Sequence, residues 1–174
     1  MKKIIALAFV SCTLLTASCV NAQDKSKRAS PPAKVSQTIN SGATITIDYS
    51  QPSLKGRTIG KDVEPMTGQV WRMGANEATV FEVNKDVTIE GKKLPAGKYS
   101  LFGLQDDKDF TLIFNKEWKI WGTDYNDNKD KDALKIKVKP KKANNSLEKL
   151  TYSIDKKGEV SLQWGTMLIN FNVK

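Results

Sequence analysis

The stretch LTYSIDKKGEVSLQW, residues 150–164, decides the fold. Leu150, Tyr152 and Ile154 alternate with polar residues, Asp155-Lys156-Lys157-Gly158 offers a reversal, and Val160, Leu162 and Trp164 alternate again on the return. Successive side chains on a β-strand point to opposite faces, so apolar residues at every second position mark a strand with one buried face. Two such runs joined by a polar turn ending in glycine read as an antiparallel hairpin.

The same period recurs on both sides. Ile45, Ile47 and Tyr49 oppose Thr44, Thr46 and Asp48, and Leu134, Ile136 and Val138 oppose Lys135, Lys137 and Lys139. Met167, Ile169, Phe171 and Val173 make a last strand, and shorter ones fit residues 80–83, 87–89, 99–104 and 110–114. Turn signals at 90–91, 94–97 and 105–107 separate them. No segment carries a helical repeat. About ten short strands joined in this way predict an all-β domain, an antiparallel β-sandwich or a jelly-roll-like barrel.

The N-terminus reads as a leader. Lys2 and Lys3 precede an apolar run too short to span a bilayer, and Val20-Asn21-Ala22 places small residues at a cleavage position. Residues 1–22 are therefore expected to be a signal peptide, 23–34 (QDKSKRASPPAK) a flexible tether, and 35–174 one β domain. The alternative is lipid attachment at Cys19 in Thr16-Ala17-Ser18-Cys19, which would hold the domain on a membrane; cleavage after Ala22 would release it to the periplasm or outside the cell. Cleavage leaves 152 of the 174 residues, the size of one compact domain.

Composition narrows the chemistry. There is no histidine, and both cysteines, Cys12 and Cys19, lie in the leader. The exported part thus lacks a disulfide, a Ser-His or Cys-His nucleophile system, and the imidazole or thiolate ligands of the usual zinc, copper and iron sites. No cofactor is expected. Removing Lys2 and Lys3 leaves 26 cations against 19 acids, and of the chain's 28 basic residues only Arg28, Arg57 and Arg72 are arginine. Using arginine so sparingly predicts that Arg57 and Arg72 exploit the planar fork, in a buried ion pair or a ligand clamp.

Two stretches carry candidate sites. In WRMGANEAT, residues 71–79, Gly74, Ala75 and Asn76 suit a sharp reversal, with Gly74 or Asn76 able to adopt positive φ. The structural reading makes Trp71 core, pairs Arg72 with Glu77 or Glu64, and satisfies Asn76 within its own turn. The functional reading makes a pocket: Trp71 as a platform, Arg72 and Asn76 donating, Glu77 accepting, and Arg57 reaching in from its Gly-rich loop, for a sugar or a carboxylated small molecule. The second stretch holds Trp118, Trp121 and Tyr125, either a stacking surface for sugar rings or aromatic cover for the fold.

Other patterns carry less. Asp124, Asn126, Asn128, Asp130 and Asp132 alternate oxygen ligands, but Lys129 and Lys135 stand where a calcium loop needs glycine and glutamate, so a solvated loop and no metal are expected. The lysines from Lys129 to Lys142 alternate with apolar residues and protect a sheet edge; with no nucleic-acid motif beside them, nucleic acid is not an expected partner.

TITIDYSQPSLKGR, VWRMGANEAT, KDVTIEGKKLPAGKYSLF, and IFNKEW followed by WGTDY together resemble a secreted bacterial family of unknown function, DUF 2911, whose hallmark is Trp-Arg-x-Gly-Ala-Asn-Glu-Ala-Thr. The resemblance covers roughly residues 30 to 174. It implies export and an all-β domain, and no activity. Gln51 stands where the family commonly has arginine and Met73 where it has threonine; an anion held by that arginine would bind less well here.

The expected function is thus an exported, non-catalytic β-sandwich that binds a ligand or partner, a glycan, a small anionic molecule or an envelope protein. The alternatives are a small glycan hydrolase using paired carboxylates, Glu77 with Asp48 or Glu64, and a structural module of the cell envelope.

Overall fold

The computed structural model describes residues 24–174. The leader, its cleavage site and Cys19 lie outside the described residues. Eleven strands follow in order: β1 Pro32–Thr38, β2 Thr44–Ser50, β3 Val70–Trp71, β4 Thr79–Val83, β5 Val87–Ile89, β6 Lys92–Leu94, β7 Gly97–Gln105, β8 Phe110–Asn115, β9 Asp132–Val138, β10 Lys141–Ile154 and β11 Glu159–Asn172. A short 3-10 turn, Lys25–Lys27, precedes β1, and another, Asn126–Lys131, precedes β9.

The large sheet runs β1-β2-β4-β7-β8-β9, all antiparallel, with β3 added beside β7. The β10–β11 hairpin forms a second layer, and β5–β6 a small ribbon tied to the C-terminus by pairing of Ile89 with Val173. None of the three sheets closes on itself, so the described residues form a sandwich and not a barrel. The hairpin turn forms as expected: the Gly158 amide donates to the Asp155 carbonyl, and the Asp155 carboxylate caps the Glu159 amide.

Aromatic rings join the layers. Phe171 of β11 lies 6.1 Å from both Phe81 of β4 and Phe114 of β8, and Tyr152 of β10 meets Tyr49 of β2 edge-on at 4.8 Å. The three phenylalanines are fully buried, and each such side chain stabilises the fold by about 1.5–3 kcal/mol. The sheet's other face is only partly covered, by the 116–131 segment, whose Tyr125 packs with Ala78, Phe102 and Ile113 in a small separate core.

The alternation expected from the sequence is the observed burial in β2, β9 and both arms of the hairpin, with two differences. The strands expected around Trp164 and Phe171 are one continuous β11. Its buried side passes from Leu162 and Trp164 to Ile169 and Phe171, even numbers to odd, across Gly165, whose φ of 56° fits a bulge. The pairing with β10 shifts register around the same place. Second, β1 begins at Pro32, inside the stretch read as a tether, and Arg28 ahead of it is bonded to the domain.

Candidate functional site

The Trp71–Thr79 corner is built tightly. Trp71 is 2% exposed and stacks on Trp164 at 6.2 Å, while its indole N–H donates to the Gly74 carbonyl at 3.2 Å. It is core and not an exposed platform, which corrects the pocket reading on this point. Asn76 takes the positive φ, 59°, but Gly74 does not; the second left-handed residue is Met73, at 51°. A non-glycine residue in that region costs about 1–2 kcal/mol. The Tyr152 hydroxyl at 2.9 Å and the Thr79 hydroxyl at 3.1 Å both donate to the Met73 carbonyl and hold it there. Gly74 is required for a different reason: a Cβ there would sit 2.8 Å from the Thr79 hydroxyl.

Arg72 is half-buried. Its Nη1 donates to the Asn76 carbonyl at 2.9 Å, and the same carbonyl accepts from the Gly122 amide at 3.1 Å. Gly122 lies so close under the Arg72 side chain that a Cβ would fall 2.2 Å from Arg72 Cδ. Arg57 is exposed, its Nε and Nη2 donating to the Leu54 and Ser53 carbonyls at 2.9 and 2.7 Å. Neither guanidinium has a carboxylate partner among the described residues. The expected pairing of Arg72 with Glu77 or Glu64 is therefore not formed.

The arginine–carboxylate pair belongs to Arg28 instead, through a single nitrogen. Its Nη1 lies 2.9 Å from both Glu77 oxygens, and Lys25 Nζ lies 2.9 Å from one of them. Burial pushes the Glu77 carboxyl up, but hydrogen bonds from Lys25, its own backbone amide and Arg28 outweigh this and hold its pKa at about 2. Glu77 and Asp48 do share a concavity of about 160 Å³ with Lys25 and Arg28. A general acid needs the opposite shift from that of Glu77, and Asp48 is itself paired with Lys34 at 3.0 Å. Glu64 opens onto different cavities from Glu77.

Four of the expected residues do converge. Arg57, Trp71, Arg72 and Asn76 line one cavity of about 280 Å³, together with Glu64 and Trp164. Glu77, next to Asn76, does not, because it lies on the Arg28 side. Asn76 gives its side-chain amide to the Ser30 carbonyl at 3.0 Å, so it positions the segment before β1 as well. A second cavity, of about 430 Å³, shares Arg72, Trp71 and Glu64 and adds Gly122, Tyr125 and Asn126.

Trp118, Trp121 and Tyr125 form no common stacking surface. Trp121 is 45% exposed, Trp118 has Lys98 and Lys119 over its ring, and Tyr125 is buried with its hydroxyl donating to Asp132 at 2.8 Å. Burial raises the Tyr125 pKa, and the Asp132 contact adds to it. Gln51 lies outside the arginine cavity and donates to the Leu150 carbonyl at 2.9 Å; Met73 is fully buried core. Sequence reasoning missed Arg28 and Trp164. Arg28 carried a usable signal, since the scarcity of arginine that singled out Arg57 and Arg72 applied equally to it.

A family model described as "Protein of unknown function (DUF2911)" matches residues 30–173, the span from just before β1 to just past β11. No curated protein and no solved structure matches the chain. With so much of the sequence matched, the chain belongs to the DUF2911 family of proteins of unknown function.

Proposed function

We propose that this chain is an exported, non-catalytic binding domain whose ligand is a small carboxylate-bearing molecule, such as a sugar acid, taken between Arg57 and Arg72. Export rests on the leader sequence, with attachment through Cys19 as the alternative way of presenting the domain. The binding reading rests on one observation: two guanidinium groups line a single cavity of about 280 Å³, and neither is neutralised by a carboxylate among the described residues. Arg72 uses one nitrogen on the Asn76 carbonyl, leaving donors for a planar bidentate acceptor. The buried indoles of Trp71 and Trp164 close the cavity as an apolar floor and hold its shape.

Thermal unfolding of the purified protein with glucuronate, galacturonate, succinate, citrate, glucose and galactose tests this. A ligand at about 100 times its Kd stabilises by about 2.7 kcal/mol, a rise of roughly 5–10 °C for a domain of this size. The acids should give that rise and the neutral sugars should not, and Arg72→Lys should remove it. No shift with any of the acids, or a full shift in Arg72→Lys, would overturn the reading.

A further inference from the structure

The arginine cavity does not stand alone. Cavities of about 430, 280 and 620 Å³ follow one another along the molecule, the first two sharing Arg72, Trp71 and Glu64 and the last two sharing Arg57. The third is walled by Lys141 and Lys142 of β10 and by the β11 bulge at Gly165, Thr166 and Met167. A single connection, residues 51–69 between β2 and β3, supplies residues to all three: Glu64, Gly68 and Gln69 to the first, Arg57 and Val63 to the second, Leu54, Thr58 and Ile59 to the third. Connections of this length without a helix or strand are uncommon in compact domains and are usually either functional or disordered.

This one is also fastened in place. Its start is pinned to β10, the Leu54 amide donating to the Glu148 carbonyl and the Lys55 amide to the Glu148 carboxylate at 2.9 and 2.7 Å. Its end is pinned to β7 through the Gly68 amide and the Gln105 carbonyl at 2.9 Å. Two internal bonds from Arg57 stiffen the middle. The wall is preformed, which lowers the ordering cost of binding an extended ligand.

Charge along these cavities is mostly positive. Arg72, Arg57, Lys141 and Lys142 line them, against Glu64 as the one carboxylate among the described lining residues. We infer that the three cavities are successive subsites of one groove that takes an acidic polysaccharide, a chain of uronate sugars bound several residues at a time. This rests on the sugar-acid reading of the central cavity and extends it in both directions. The hydroxyls of Thr58, Ser146 and Thr166 supply partners for sugar hydroxyls. A nucleic-acid strand fits less well, because base stacking needs open aromatic faces and Trp71 and Trp164 are only 2% and 3% exposed.

Calorimetry with galacturonate oligomers of one to eight units tests the groove on the purified protein. Affinity should rise with length and then level off, and maltohexaose should not bind. Lys141→Ala/Lys142→Ala should weaken the hexamer by roughly 3- to 10-fold, as expected for two exposed charge contacts, and leave the monomer unchanged. Lys141→Arg/Lys142→Arg should restore the hexamer. Affinity independent of length, a hexamer indifferent to the double alanine variant, or oligo-dT bound as tightly would each overturn the groove. Monomer binding lost in Arg72→Lys without any gain from length would leave the central cavity standing and remove only its extension. A length gain independent of Arg72, or no binding of monomer or oligomer, would remove both.

Discussion

Replacing Glu77 by glutamine removes the carboxylate that Arg28 and Lys25 share, and the outcome is readable as a function of pH. The folded-state pKa is about 2 against an ordinary 4.5. Because the folded value lies below the unfolded one, the ionised carboxylate stabilises the fold fully above about pH 4.5, and this is lost as pH falls toward about 2. At about 1.36 kcal/mol per pKa step the ceiling is roughly 3 kcal/mol. The Glu77 side chain is 37% exposed and that of Lys25 58%, so solvent screening reduces this to about 1–2 kcal/mol. In a domain of this size that is roughly 2–8 °C in Tm. Thermal unfolding of the natural sequence and of Glu77→Gln from pH 7 to pH 2.5 should give two curves separated by that amount at pH 7 and converging only as pH falls from about 4.5 toward 2.5. Arg28→Ala added to Glu77→Gln should cost much less than Arg28→Ala alone. A gap between the curves that stays constant with pH, or two substitutions that simply add, would refute the clamp.

Gly122→Ala should displace Arg72, since the new Cβ would lie 2.2 Å from its Cδ and 2.7 Å from its Nε; overpacking of this kind costs about 1–2 kcal/mol in urea unfolding, and galacturonate affinity should fall with it. Trp71→Ala should destabilise by about 3–5 kcal/mol, whereas Trp121→Ala, at the 45% exposed indole, should stay within about 0.5 kcal/mol by the same urea assay. Gly158→Ala should cost about 2–4 kcal/mol in chemical denaturation, because its φ is 90° and the added carbon would sit 1.9 Å from the Val173 carbonyl oxygen.

What was legible in the sequence was what short-range periodicity dictates. Ile45 to Tyr49, Leu134 to Val138 and the 150–164 hairpin declare their buried faces by alternation alone, and the step from Trp164 to Ile169 already contains the parity change that a bulge resolves. What was not legible depends on partners far apart in the chain. Arg28 and Glu77 are 49 positions apart, and the segment holding Arg28 has no periodicity to suggest that it packs. Asn76 and Glu77 look like neighbours in one site, yet the backbone turns between them and sends them to opposite sides of the corner. Trp71 and Trp118 illustrate the same gap. An indole in a sequence does not state its exposure; here one is stacked inside the sandwich and the other is covered by lysines.

Gly165 keeps the two halves of β11 in step with the core. Deleting any one residue between Trp164 and Ile169 would exchange inside for outside along the final stretch, turning Ile169, Phe171 and Val173 to solvent and Asn170 and Asn172 toward the apolar layer. The chain's end is therefore sensitive to the parity of its length and not only to its composition. Among relatives, single-residue insertions and deletions should be absent there and gather at the surface turn 105–109, where no such phase has to be preserved.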